Sequence, residues 1–112
     1  MRFILQVYMR NSPAAVAALE EEARQAVFAE YEALSRDPVV VEANQLVTPD
    51  TATVVEVLGG ETTVAAGPVS SEPLGGYYLI EVPDREAASA FAARIPAARL
   101  GGAVEVRGLV AR

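Results

Sequence analysis

Residues 75–96, GGYYLIEVPDREAASAFAARIP, contain a complete strand-to-helix transition, and its reading decides the fold. YYLIEV is the most strongly β-forming segment of the chain, because aromatic and β-branched side chains suit a pleated, half-buried surface. Gly75-Gly76 gives the backbone room to enter a central strand. Pro83-Asp84 ends the strand, and Asp84 supplies a capping oxygen for a helix in which Ala88, Phe91 and Ile95 face inward. Pro96 closes that helix. A strand of this kind needs neighbours beside it and a core beneath it.

The rest of the chain supplies them. FILQVYM, residues 3–9, reads as a first strand. In Asn11-Ser12-Pro13, Ser12 is expected to cap a helix and Pro13 to occupy its first position. Alanine and glutamate content predicts one helix from Ala14 to about Arg36, with Val16, Leu19, Ala23, Val27, Tyr31 and Leu34 as its apolar stripe. Glu20 with Arg24, and Glu32 with Arg36, stand four apart in the favourable order on the wet side. Phe28 lies off the stripe, at its border or against another subunit. Asp37-Pro38 stops the helix. Val39 opens an irregular second strand that runs to Val47, and Thr48-Pro49-Asp50 turns the chain. Thr53–Leu58 and Thr62–Ala65 flank Gly59-Gly60, a two-residue hairpin signal. Ala103–Leu109 is the last strand.

The order is β-α-β, a hairpin, then β-α-β. It predicts an α+β protein: a ferredoxin-like split βαβ fold with an inserted β-hairpin, an antiparallel sheet carrying two helices on one face. Residues 1–112 are expected to form one domain. Side-chain alternation points Phe3, Leu5, Val7, Ile80 and Val82 toward the helices. Ile4, Gln6, Tyr8 and Arg10, with Tyr77, Leu79 and Glu81 and with Glu105 and Arg107, then fall on the open face. Gln6, Tyr8, Tyr77 and Leu79 should cluster there, flanked by Glu81, Glu105 and Arg107. A bare face of mixed apolar, aromatic and polar groups suits a dimer interface enclosing a small cavity.

Composition narrows the chemistry. The chain has no cysteine, histidine or lysine; all nine basic residues are arginine. Disulfides, thiolate nucleophiles, Ser-His-Asp sites, imidazole metal sites and Schiff bases are thereby excluded. Carboxylates, tyrosines, hydroxyls and backbone dipoles remain. A net charge of −6 argues against nucleic acid. MRFILQVYMR is too short and too interrupted for a signal peptide, and no run approaches a membrane span, so the expected location is the cytoplasm. No cofactor is expected. Glu42, Asp50 and Glu56 offer no metal-binding spacing. Gly67-Pro68 reads as a tight turn, and the absence of a helix directly after the glycines and of any lysine argues against a phosphate cradle.

LGGYYLIEVPDREAASAFAARIPAARLGGAVEVRGLV, residues 74–110, resembles the C-terminal half of the YCII-related proteins, in particular their DGPF branch. That branch has a loop of the type DGPFAETKE, then Leu-Gly-Gly, an aromatic strand, a helix ending Ala-Ala-Arg-Ile-Pro, and a final Val-Glu-Val-Arg-Pro. Ala92–Pro96 and Val104–Arg107 carry the match, and TPDTATVVEV, residues 48–57, is similar to a further family segment. The resemblance implies a dimeric α/β barrel, two sheets meeting through their open faces. The family's Asp-Gly-Pro-Phe is Ala66-Gly67-Pro68-Val69 here, and the following Ser70-Ser71-Glu72-Pro73 is shorter and lacks its lysine. The His-Asp chemistry of some relatives cannot be carried over. Others act without a cofactor on small aromatic or lactone-like molecules, and many DGPF proteins are associated only with sigma-factor genes.

Tyr8 and Tyr77 are candidate general acids or oxyanion donors, with Glu81 as their carboxylate partner, or else simply interface tyrosines. Gln6, Leu79, Glu105 and Arg107 are the candidate ligand-binding residues. Glu81, Glu105 and Arg107 read either as an acid/base pair with an anion clamp or as a cross-strand salt bridge. Arg94 and Arg99 are expected to neutralise the carbonyls at the end of the second helix. The functional expectation is a homodimer binding a small apolar or aromatic metabolite, as a cofactor-independent enzyme or as a non-catalytic regulatory module.

Overall fold

The computed structural model describes residues 1–72 and 74–111. Among the described residues, six strands and three α-helices follow one another: β1 Arg2–Tyr8, α1 Ser12–Ala17, α2 Glu21–Ser35, β2 Val40–Gln45, β3 Thr53–Leu58, β4 Glu61–Ala66, β5 Leu74–Glu81, α3 Arg85–Ala93 and β6 Ala103–Gly108. Four strands form an antiparallel sheet in the order β2-β5-β1-β6, and β3 and β4 pair separately. This mixed α+β arrangement is consistent with a ferredoxin-like fold.

Alternation along β1 produces the two faces. Phe3, Leu5 and Val7 are buried, while Ile4, Gln6 and Tyr8 are only half-covered. On β5, Tyr78 and Ile80 join the buried set, which continues through Val82. These residues pack with Leu34 of α2 and with Ala88, Phe91, Ala92 and Ile95 from α3 and its end. The Tyr78 and Phe91 rings meet edge to face at 5.9 Å. Asp84 caps α3 as expected, its side chain accepting from the Ala87 N–H at 2.9 Å. Tyr31 ties α2 to the 3-10 turn Pro96–Ala98 by accepting from the Ala97 N–H at 3.1 Å.

The first helix departs from expectation. It is two helices, α1 and α2, separated at Ala18–Glu20. Glu20 is extended, so α2 starts afresh with Glu21 and Glu22 in its first turn, where carboxylates favour the helix dipole. Val27 and Leu34 are buried and Tyr31 packs against the core, whereas Ala23 is exposed. Arg24 pairs with Glu21 rather than Glu20, while Arg36 pairs with Glu32 as expected. Ser12 is not the cap. It is the first helical residue, 1% exposed, and its Oγ has no hydrogen-bond partner among the described residues. Arg94 and Arg99 also turn elsewhere: Arg94 stacks on Phe91 and reaches Asp37, and Arg99 pairs with Glu30.

The hairpin β3–β4 turns at Gly59-Gly60, both with positive φ (56° and 80°), as a two-residue loop requires. Its face bearing Val55, Val57 and Val64 is bare; Val57 is 63% exposed. The arm widens the molecule to a radius of gyration of 16.1 Å, against about 13 Å for a compact domain of this length.

Candidate functional site

The uncovered face of the four-stranded sheet is ordered into rows by strand register. One row runs Glu42, Leu79, Ile4, Arg107 across β2, β5, β1 and β6. The next runs Asn44, Tyr77, Gln6, Glu105. Glu42 reaches this face because of a β-bulge. Val40 pairs with Ile80 on the helix side, Val41 is the extra residue, and Glu42 then stands opposite Leu79. Gly76 also has a geometric reason: a Cβ there would lie 2.7 Å from the Asn44 carbonyl oxygen, so the two strands approach this closely only with glycine.

Tyr77 occupies the centre of the polar row. Its hydroxyl donates to the Glu42 carboxylate and accepts from the Asn44 side-chain amide at 2.9 Å. Asn44 also donates to Glu42, at 3.4 Å. The phenol is therefore oriented by two groups on the neighbouring strand. Beside it lies an open depression of about 430 Å³. Ile4 and Leu79 give it an apolar floor, Gln6 and Tyr77 edge one side, and Arg107 and Leu109 the other.

The structure thus gathers Gln6, Tyr77, Leu79 and Arg107 and separates the remaining candidates. Tyr8 and Glu105 line a second depression of about 480 Å³, with Arg10, Ser70 and Glu72. Glu81 belongs to neither. It sits at the strand end, four residues and about 13 Å along the strand from Tyr77. There it pairs with the Met1 amine at 2.8 Å and with Arg2 at 3.4 Å. The hydrogen bond from the amine, with help from Arg2, holds its carboxyl below the usual range. Glu105 and Arg107 form no ion pair within the described residues, so the cross-strand bridge expected of this set is absent there.

Ser70 and Glu72, from the loop between β4 and β5, line the second depression. Arg10 grips Glu72 through Nε, 3.2 Å from each carboxylate oxygen, and through an Nη at 2.8 Å. That bond, reinforced by charge, holds the Glu72 carboxyl below its ordinary range. The Gly67-Pro68 peptide within this loop is cis. Pro73, the last residue of the altered loop, lies outside the described residues.

Sequence reasoning missed Glu42 and Asn44 as partners of Tyr77. The signal available was the strand order, which sets β2 beside β5; the bulge that turns Glu42 outward left no mark in the sequence. Among the described residues no three carboxylates gather to hold a metal ion, and no helix is long and apolar enough to cross a membrane.

An antiparallel sheet with helices on one face is consistent with a ferredoxin-like α+β fold, and its uncovered face carries an oriented phenol. The model of the YCII-related domain family matches residues 1–110, and the chain belongs to that family. No curated protein matches it.

Proposed function

We propose that the chain works as a cytosolic homodimer of the DGPF type, with AGPVSSEP as a degenerate form of that branch's loop. The open sheet faces of two copies would enclose a cleft, as in a dimeric α/β barrel, that binds a small apolar or aromatic metabolite. One observation carries the reading: the Tyr77 hydroxyl is held between Glu42 and Asn44 beside an apolar floor of Ile4 and Leu79. An ordinary solvated sheet face has no need of such a floor. The chemistry this pair suits is a cofactor-independent isomerisation next to a carbonyl. Glu42 takes a proton from the carbon beside the carbonyl; as its charge is lost, the Tyr77 hydroxyl turns its one hydrogen from Glu42 to the enolate oxygen, and Glu42 then returns the proton to another carbon. No other reactant is consumed. Glu81, neutralised at the strand end, is replaced in this role by Glu42, and Tyr8 serves the second depression.

The bare apolar face of the hairpin favours a second reading, a dimeric interaction module without catalysis. A lone two-stranded hairpin is marginal in water, and a partner copy would cover Val55, Val57 and Val64.

Sedimentation at micromolar concentration tests assembly: a dimer is expected, and Leu79→Arg should give a folded monomer. A wild-type monomer would overturn both readings. A thermal-shift screen of aromatic acids and lactones separates them. Ligands that raise the melting temperature of wild type but less so of Tyr77→Phe support the cleft. A dimer that responds to none of them, with a dry packed interface, leaves the interaction module.

A further inference from the structure

Eight of the nine arginines lie within the described residues, and seven of these eight are engaged. Arg2, Arg10, Arg24, Arg36, Arg94 and Arg99 are in ion pairs, and Arg85 lies over the Phe3 ring. Arg107 has no carboxylate within ion-pair distance among the described residues, although Glu105 is two residues away on the same face. It stands instead on the wall of the depression floored by Ile4 and Leu79. On this acidic protein, an arginine left without a partner beside an apolar floor is a ready anion anchor.

From this we infer that the depression takes an organic monocarboxylate with a ring-sized apolar body. The inference rests on the cleft reading above and names its substrate class. The ligand's carboxylate meets the Arg107 guanidinium, its body lies over Ile4 and Leu79, and a neutral polar group at its far end meets Tyr77. Arg107 and Tyr77 stand two strands and two residues apart, about 12 Å between Cα atoms. Once both side chains reach inward over the sheet, one ring with short substituents fills the gap. The opposite edge of the same row sets the charge limit. Glu42 faces the far end of the ligand, so a second carboxylate there meets like charge and is rejected.

The test uses three probes of one shape: 4-hydroxyphenylacetate, its uncharged amide, and the dianion 1,4-phenylenediacetate. Binding to the full chain is measured by calorimetry for wild type, Arg107→Gln, Arg107→Lys and Tyr77→Phe, each checked for folding by circular dichroism. The monoanion should bind wild type about ten- to a hundredfold more tightly than the amide, the range of a charge-assisted pair. Arg107→Gln should erase that preference by weakening the monoanion far more than the amide, and Arg107→Lys should restore part of it. The dianion should bind more weakly than the monoanion. If acid and amide bind alike and Tyr77→Phe weakens both, the cleft stands and the anion anchor falls. A preference that survives Arg107→Gln removes Arg107 from the role, and a dianion bound as tightly as the monoanion removes Glu42. If no probe binds, the cleft reading and the anchor fall together.

Discussion

Tyr77 gives its hydroxyl hydrogen to the Glu42 carboxylate across adjoining strands, from 35 positions further along the chain. Sequence distance and spatial contact are reconciled by the sheet order, which returns β5 to lie between β2 and β1. The pair is exposed, so its worth to stability is small, but it fixes the direction of the phenol.

A double-mutant cycle measures that pairing. Glu42→Gln and Tyr77→Phe should each cost no more than about 1 kcal/mol in urea unfolding, because both groups can find water instead. Their coupling energy should be about 0.5 kcal/mol or slightly more. A coupling of zero would mean that the hydroxyl is not held by Glu42 in solution.

The open face itself was legible in the sequence because β1 keeps strict alternation: Phe3, Leu5 and Val7 inward, Ile4, Gln6 and Tyr8 outward. Gly59-Gly60 likewise marked its hairpin, since only residues tolerant of positive φ fit there. The break at Ala18–Glu20 was harder. No proline or glycine interrupts that alanine-rich run, and helix propensity alone carries through it. The legible hint was the run Glu20-Glu21-Glu22, an acidic cluster suited to a helix start. In β2 the bulge at Val41 reversed the alternation, and period-two reading has no means of anticipating an extra residue.

Ser12 discriminates directly between the cap expected from the sequence and the buried hydroxyl found. A capping serine changed to alanine costs about 1 kcal/mol. A buried hydroxyl without a partner is instead a burden, and its removal relieves an uncompensated desolvation of about 1 kcal/mol or more. Ser12→Ala should therefore be neutral or stabilising in thermal unfolding. A loss of 1 kcal/mol would restore the capping role.

Arg10 holds the loop from an unusual backbone position, with φ at 45°, in the left-handed region that costs non-glycine residues about 1–2 kcal/mol. Arg10→Ala loses the grip on Glu72 and keeps the strain; Arg10→Gly loses the grip and the strain together. The glycine variant should be the more stable of the two by about 1 kcal/mol. Both should speed amide exchange in residues 69–72. Acid should do the same in wild type. The Glu72 carboxyl is held low by Arg10, so its contribution is complete above the ordinary carboxylate range and is lost as pH falls through the lowered value. Loop exchange that is unchanged in the Arg10 variants and at low pH would show that the ion pair does not restrain the loop.

Tyr78 governs the opposite end of the pH scale. It lies beneath the helices, 7% exposed, and burial pushes its phenol up to about 12, with the neighbouring Tyr31 adding to the rise. A raised value means that the folded state favours the protonated phenol. The resulting stability is fully present below pH about 10, the ordinary tyrosine value, and is lost progressively as pH rises toward 12. Two units correspond to about 2–3 kcal/mol at the end of that window. Tyr31, tied to Ala97 and also raised by burial, adds a limb of the same sign. Tyr78→Phe removes the larger contribution and keeps the ring against Phe91. Its melting temperature should therefore fall less steeply than that of wild type between pH 9.5 and 11.5, by roughly the amount those two units predict. If the two melting profiles run parallel, Tyr78 ionises as freely folded as unfolded, and its place in the core beneath α3 would have to be abandoned.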